Sequence, residues 1–211
     1  MTDNLPLKYK TISAFSESKY KEKGSLFIGR AYPVADAAEA ESILASVRKE
    51  FYDATHNCWA WKLKDGSFRY SDDGEPNGTA GIKILSAINH FELSDMIVIS
   101  TRYYGGTKLG VGPLGKAYYE SAYTALQENK IIELTRFAEV LFTVGFDDTG
   151  KIFHHLQKNF IRLTSQDYAD QLTVTAEIRY DLSEKFCSDI FQEFHGRINI
   201  SAGDKVIYRQ D

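Results

Sequence analysis

The sequence predicts an α+β protein built from two domains that meet near residue 135. Helix-like and strand-like hydrophobic periods alternate along the whole chain, which favours mixed layers of helices and sheets. Residues 136–211 form a closed set of six predicted elements with their own apolar faces, and a chain of 211 residues is long enough for two small domains. We therefore expect residues 1–135 and 136–211 to fold as separate units.

The first predicted domain begins with two strands, at residues 10–15 and 25–34. The charged segment between them, residues 17–24, is interpreted as a loop. Asp36 is then followed by a glutamate three residues later, which is the spacing of a capping box. Apolar residues at helical spacing come next, so a helix is predicted over 37–51.

The next elements form a predicted β-hairpin. Trp59 and Trp61 are two residues apart on a strand and therefore share one face, which we expect to be buried against a helix. Asp65 and Gly66 favour a tight turn, and residues 68–70 return as the second strand of the hairpin.

Glycine-rich segments separate the remaining elements of the first domain. Residues 71–81 have the composition of a loop and precede a predicted helix. Residues 96–101 form a mostly apolar strand, and the glycines of 105–112 make a flexible connection to a helix that starts at Pro113. A strand at 131–134 is expected to close the sheet.

The second predicted domain has the order βαββαβ, which is that of a split-βαβ, ferredoxin-like module. Two of its strands show strict alternation of apolar and polar residues, and its two helices carry apolar residues three or four positions apart. The predicted strands are 140–146, 161–164, 172–180 and 206–209, and the predicted helices lie over 152–160 and 186–194.

The composition limits the function classes. The hydrophobic fraction is 43% and the charged fraction is 26%, values typical of a globular protein. A net charge of −4 argues against a large nonspecific nucleic-acid binder but leaves room for a local basic patch. The sequence shows no apolar run long enough to span a membrane and no secretion signal. Because Cys58 and Cys187 fit no metal or disulfide spacing, we expect a cytoplasmic protein without a metal site.

A basic, glycine-rich and tyrosine-rich stretch provides the first candidate site. Cations, glycine amides and a helix start are the groups that bind phosphate or carboxylate, so we predict an anion-binding surface here. Its residues are Arg102, Tyr103, Tyr104, Gly105, Gly106, Lys108, Gly110, Gly112 and Lys116. Two alternatives stay open: the glycines only permit a tight turn, or Arg102 pairs with Asp72, Asp73 or Glu75 and is not free for a ligand.

The same stretch has the spacing of a nucleotide-binding phosphate loop, from Gly110 to Lys116. Ala117 occupies the position where the motif needs a hydroxyl for magnesium, and Pro113 lacks an amide donor. We therefore predict no nucleotide and no other cofactor. Several tyrosines surround the basic residues and would either stack on bases or pack in the core. They are Tyr103, Tyr104, Tyr118, Tyr119 and Tyr123.

A second candidate site is acidic. Asp72, Asp73 and Glu75 place three carboxylates within four positions, which could bind a divalent cation, could raise one pKa for acid–base chemistry or could simply form a solvated turn. His56 and Cys58 share a strand face and could form a nucleophilic pair, although a buried core cysteine is the more common case. An enzyme would combine His56, Asp72, Asp73, Glu75 and Arg102.

These residues also carry a family resemblance. The segments 72–81 and 101–110 resemble the signature of the YigZ/IMPACT family, and segments 58–61 and 112–118 resemble bacterial YigZ proteins. The resemblance extends over the whole chain. Two positions depart from the expected pattern, since Lys83 stands where we expect proline and Lys116 where we expect arginine.

The resemblance implies both a fold and a function. The expected N-terminal domain is an IMPACT-type α/β sandwich similar to domain 2 of a small-subunit ribosomal protein. The expected C-terminal domain is similar to the ferredoxin-like domains III and V of elongation factor G. Together with the basic, tyrosine-rich and glycine-rich stretch, these translation-like domains favour a non-enzymatic, translation-associated regulatory factor that binds RNA, the ribosome or a translation factor through its N-terminal domain. The alternatives are a hydrolase-like enzyme at the acidic site and a regulator that binds only protein. The oligomeric state is left open.

Overall fold

A computed structural model describes residues 5–211 and confirms the α+β fold class. The chain separates into two compact units, Met1–Glu133 and Leu134–Asp211. Among the helices of residues 5–211, none combines the length and the hydropathy that crossing a membrane requires.

The first unit contains an antiparallel sheet of five strands with the order β2–β3–β6–β4–β5. A further strand, β1, runs beside residues 130–133, where the Ser13 amide donates to the Lys130 carbonyl over 2.9 Å. The strands are β1 (Lys8–Ile12), β2 (Ser16–Glu22), β3 (Ser25–Pro33), β4 (His56–Lys62), β5 (Phe68–Ser71) and β6 (Met96–Tyr103).

Three helices cover the two faces of this sheet: α1 (Ala37–Glu50), α2 (Gly81–His90) and α3 (Val111–Gln127). Helices α2 and α3 pack on the face that carries Phe27, Cys58 and Val98. Helix α1 packs on the opposite face and covers Trp59 and Trp61, so the predicted burial of both tryptophans against a helix is confirmed.

The prediction of a loop at residues 17–24 is wrong, because β2 occupies most of this segment. Its outward positions are charged, and its inward positions are small or aromatic instead of aliphatic. Ser18 is buried and donates through Oγ to the Ser121 carbonyl over 2.6 Å, and Tyr20 packs against the apolar core. The strand is held by polar contacts with α3, so its sequence lacks the apolar alternation of the other strands.

The second unit is built from β7 (Ile131–Val144), a 3-10 helix (Phe146–Asp148), α4 (Thr149–Lys158), β8 (Arg162–Tyr168), β9 (Leu172–Arg179), α5 (Tyr180–Glu193) and β10 (Ile198–Arg209). Its antiparallel strands have the order β10–β7–β9–β8. The predicted βαββαβ order is thus confirmed, and α4 and α5 pack on one apolar face of the sheet.

The structure differs from the predicted elements around residues 131–146. The two predicted strands there form one continuous strand, β7, and the division between Glu133 and Leu134 lies inside it. The last strand, β10, is also longer than predicted and pairs with β7 from Thr135 to Val144. This pairing keeps the intervening polar residues of β7 extended, although their sequence alone does not favour a strand.

Candidate functional site

The acidic loop, residues 71–81, is held in place by its own carboxylates. The Asp72 carboxylate accepts hydrogen bonds from the amides of Gly78, Ala80 and Gly81 over 2.8–2.9 Å. Two of these amides belong to the start of α2, where backbone donors otherwise lack partners. Asp72 therefore caps α2 from outside the helix and is fully engaged in a structural role.

Asp73 joins the same loop to β4 and α1. Its Oδ2 accepts a hydrogen bond from the backbone amide of Asn57 over 2.7 Å, and its Oδ1 lies 2.6 Å from Nη2 of Arg48. The Asp73 backbone has φ = 45°, and its carbonyl lies 2.7 Å from Nδ1 of His56. The turn thus presents both the side chain and the backbone of Asp73 to neighbouring elements.

Glu75 is the centre of a buried polar network between the loop, β6 and α3. Its Oε1 accepts from Nη1 of Arg102 over 2.6 Å and from the Tyr118 hydroxyl over 2.7 Å. Its Oε2 lies 3.8 Å from Nε2 of His56. The Glu75 side chain is only 5% exposed, so this carboxylate has exchanged its water contacts for protein donors.

Arg102 is therefore not part of an open surface, and the structure shows the pairing alternative, with Glu75 as the partner. The Arg102 side chain is 7% exposed, and Nη2 also donates to Ser25 Oγ over 3.3 Å. The Arg102 side chain is buried because the residue lies on β6, between β3 and β4, on the sheet face that α2 and α3 cover. There the guanidinium also lies 5.4 Å from the ring centre of Phe27.

The structure brings the acidic loop and the end of β6 together, as the enzyme hypothesis requires, but it does not provide an activated nucleophile. The Cys58 thiol donates to the Asp72 carbonyl over 3.0 Å. Burial raises the pKa of this thiol, a hydrogen bond with Tyr118 lowers it by a smaller amount, and the carboxylates of Glu75, Asp73 and Asp72 raise it further. Burial also raises the pKa of Tyr118. Cys58 thus stays a protonated thiol, the opposite of a catalytic cysteine.

The glycine-rich connection adopts a backbone that depends on glycine. Gly110, immediately before α3, has φ = 84°, a region that residues with side chains rarely adopt. A β-carbon on Gly105 would lie 1.9 Å from the carbonyl carbon of Gly24, so two backbone segments are in direct contact there. Helix α3 begins at Val111, earlier than predicted, and the predicted site residue Gly112 lies inside its first turn.

The predicted lysines do lie on the surface. Lys108 and Lys116 are exposed, and Lys116 lines a groove of about 490 Å³ between α2 and α3. We call this the lysine groove; it is lined by Gly78, Lys83, Ser86, Val111, Gly112, Gly115, Lys116 and Tyr119. Lys83 was not among the predicted residues, but it also lines this groove, and its departure from the family pattern was a signal that could have drawn attention to it.

The predicted tyrosines have different environments. Tyr118 is completely buried, in edge-to-face contact with Phe27, and belongs to the core. Tyr103 donates to Asp53 over 2.9 Å, and Tyr104 is 45% exposed. Tyr119 and Tyr123 are partly buried and stack on each other with ring centres 5.7 Å apart.

Within residues 5–211, no group of three histidine, cysteine or acidic side chains is placed to hold a metal ion. The acidic loop illustrates the reason, because its three carboxylates point to different partners and do not converge on one point.

Comparison with known proteins agrees with this architecture. Residues 23–126 match the model of the Impact N-terminal domain. A solved structure described as a hypothetical protein superimposes with a TM-score of 0.67 at 25% identity, covering 95% of this chain and all of the other.

Curated relatives extend the similarity over both units. The chain is 27% identical to IMPACT family member YvyE of Bacillus subtilis, covering 93% of this chain and 91% of the relative. It is 31% identical to an IMPACT family member of Haemophilus influenzae, covering 84% and 88%. It is 39% identical to an IMPACT family member of Thermus thermophilus, covering 61% and 69%. On this evidence the chain belongs to the IMPACT family.

Proposed function

We propose that this protein is a cytoplasmic, non-enzymatic, translation-associated factor whose first unit binds RNA, free or in the ribosome. A role in the regulation of translation fits the IMPACT family. The observation that carries the proposal is the lysine groove, an open surface with two exposed ammonium groups beside the start of α3. The free cysteines, Cys58 and Cys187, support a reducing compartment.

The charge of the groove supports a polyanionic ligand. Lys83 and Lys116 line it, and none of the described residues that line it is acidic. Helix α3 has no acidic residue in its first turn and no side chain that caps it, so its positive dipole end adds to the lysine charges. Because the chain as a whole is acidic, this local charge distinguishes the groove from the rest of the protein. We include Lys108, in the preceding loop, in the proposed surface.

The state of the acidic site favours binding over catalysis. Asp72, Asp73 and Glu75 each accept hydrogen bonds from protein donors. If one of these carboxylates bound a substrate instead, its backbone amide or guanidinium donor would lose its partner. The same contacts hold the loop that begins α2, and α2 carries Lys83. The acidic site thus serves to position the basic one.

The test is a binding titration with RNA and with ribosomes across a salt series. The double change Lys83→Ala/Lys116→Ala should keep the fold, weaken binding and reduce the slope of log K against log salt by about 1.4, the value for two contacts to single-stranded phosphates. Lys108→Ala should reduce this slope by about half as much.

The matched control is Lys21→Ala/Lys49→Ala. Both lysines are exposed, and they lie on β2 and α1, away from the groove. Equal effects of the two double changes would show nonspecific attraction, and binding insensitive to both would favour a protein partner; either result would overturn the proposal.

A further inference from the structure

We infer that the RNA bound at this surface is single-stranded, with an unpaired base stacked on the ring of Tyr119. This inference rests on the proposed function and specifies its ligand. It is carried by the arrangement of cationic and aromatic side chains along two neighbouring helices.

Side chains along α2 and α3 form two stripes that run side by side. On α2, Lys83, Ser86 and His90 are three and four residues apart, and on α3 the same spacing relates Lys116, Tyr119 and Tyr123. The helices run in the same direction, because Lys83 lies over Gly115 at one end and His90 contacts Tyr123 at the other. The surface therefore changes along its length from cationic to aromatic.

The aromatic end is a continuous ladder of rings. Tyr119 and Tyr123 are stacked with an interplanar angle of 25°, and the rings of His90 and Phe91 contact Tyr123 with centres 5.2 Å and 5.0 Å away. Tyr119 is the member of this ladder that also lines the lysine groove. One face of its ring packs against Tyr123, so the Tyr119 ring lies between the aromatic ladder and the cationic surface.

This arrangement matches the two parts of a single-stranded nucleotide. Ammonium groups bind the phosphates, and an aromatic ring binds the flat face of a base, without preference for sequence. In a duplex, the faces of the bases are covered by their neighbours, so only an unpaired base can stack on Tyr119. An RNA that contacted only the lysines could bind equally well as a single strand or as a duplex, because both forms present phosphates.

The experiment compares one RNA of about ten nucleotides as a single strand and as a duplex, because single-stranded sites typically cover about 4–16 nucleotides. Tyr119→Ala should weaken binding of the single strand by about 5- to 150-fold, the range for loss of one stacked base, and leave its salt slope unchanged. Tyr119→Phe, which keeps the ring, should bind like the unaltered protein. Tyr119→Leu keeps apolar bulk but has no ring face, so it should bind like Tyr119→Ala even if the alanine variant proves unstable.

The control is Tyr52→Ala, because Tyr52 is 84% exposed and lies beyond the end of α1. A 2-aminopurine base in the single strand should lose fluorescence on binding to the unaltered protein and to Tyr119→Phe, but not to Tyr119→Leu.

The outcomes separate this inference from the proposed function. The stacking inference is overturned if duplex and single strand bind with equal affinity, Tyr119→Leu does not change that affinity and Lys83→Ala/Lys116→Ala weakens it. This result would leave the proposed RNA binding in place. If neither the Tyr119 variants nor Lys83→Ala/Lys116→Ala weaken RNA binding, both the stacking inference and the proposed function are overturned. Weaker single-strand binding in Tyr119→Leu but not in Tyr119→Phe supports the inference.

Discussion

Glu75 and Arg102, 27 residues apart in the sequence, form an ion pair of 2.6 Å whose two side chains are 5% and 7% exposed. Such a pair is energetically asymmetric. Its net contribution to folding is modest because both charges lose their hydration, but loss of one partner leaves the other charged and buried. The two residues should therefore affect stability much more than ligand binding.

For Arg102→Ala, we expect the free energy of unfolding to fall by about 3–5 kcal/mol, because Glu75 would stay buried without its cation. Urea unfolding followed by tryptophan fluorescence reports on this unit, since both tryptophans lie in it. Lys108→Ala, at an exposed position, is the control and should change stability by less than about 0.5 kcal/mol. An unchanged free energy of unfolding in Arg102→Ala would contradict the claim that the Glu75–Arg102 ion pair stabilises the acidic loop.

The stability of the first unit should decrease at alkaline pH because of Cys58 and Tyr118. Burial raises the pKa of both groups in the folded state above the unfolded values of 9.0 and 10.0. The folded state then holds these protons more tightly, so their stabilising contribution is complete below pH 9 and is lost as the pH rises further. Each group adds a slope of at most about 1.4 kcal/mol per pH unit.

The check is urea unfolding at several pH values between 8 and 11, for the unaltered protein and for Cys58→Ala. In Cys58→Ala the free energy of unfolding should fall less steeply with pH, because only Tyr118 of the two groups is left to titrate, and the fall should begin at a higher pH. The Cys58 thiol should also resist a thiol reagent at pH 8 until the protein unfolds. Rapid modification of Cys58 in the native protein would contradict the raised pKa.

Trp61→Ala should destabilise the first unit by about 3–5 kcal/mol, because the ring is 5% exposed and packed against α1. Phe68→Ala is a matched control from the adjacent strand, since Phe68 is 53% exposed. Quenching by acrylamide tests the same burial in the unaltered protein. Near-normal stability of Trp61→Ala together with easily quenched fluorescence would instead indicate an exposed ring.

A fragment of residues 134–211 is predicted to fold alone, because it contains β8, β9, β10, the whole part of β7 that pairs with β9 and β10, and the core beneath these strands. We expect a single cooperative transition in urea. The control fragment, residues 140–211, lacks the part of β7 that pairs with Val206–Arg209, so it should be less stable. A fragment 134–211 without cooperative unfolding would show that the second unit depends on the first.

The sequence was most informative where local chemistry decides the structure. The predicted cap at Asp36 is confirmed, since its side chain accepts from the Glu39 amide over 2.9 Å. The predicted turn at Asp65 and Gly66 is also present, with φ = 87° at Gly66. In both places the residues that determine the geometry are within a few positions of each other.

Long-range contacts explain what the sequence did not reveal. Arg102 had three candidate partners within four positions, and the choice of Glu75 depends on the turn at Asp73 and Gly74, whose φ values are 45° and 88°. That turn directs Asp73 towards Arg48 and Glu75 towards Arg102. Strand β2 was missed for the same kind of reason, because Ser18 contacts α3 more than 100 positions later.

The contact of Arg102 and Tyr118 with one carboxylate oxygen also has an evolutionary consequence. A neutral residue at 102 would leave the buried Glu75 without its cation, and a neutral residue at 75 would leave the buried guanidinium without its anion. Each single substitution is therefore costly, whereas the double exchange is tolerable. Lineages of IMPACT proteins should therefore change positions 75 and 102 together. The hydroxyl group of residue 118 should be kept or lost with them, because it donates to the same oxygen over 2.7 Å. These three positions are expected to evolve as a single covarying unit.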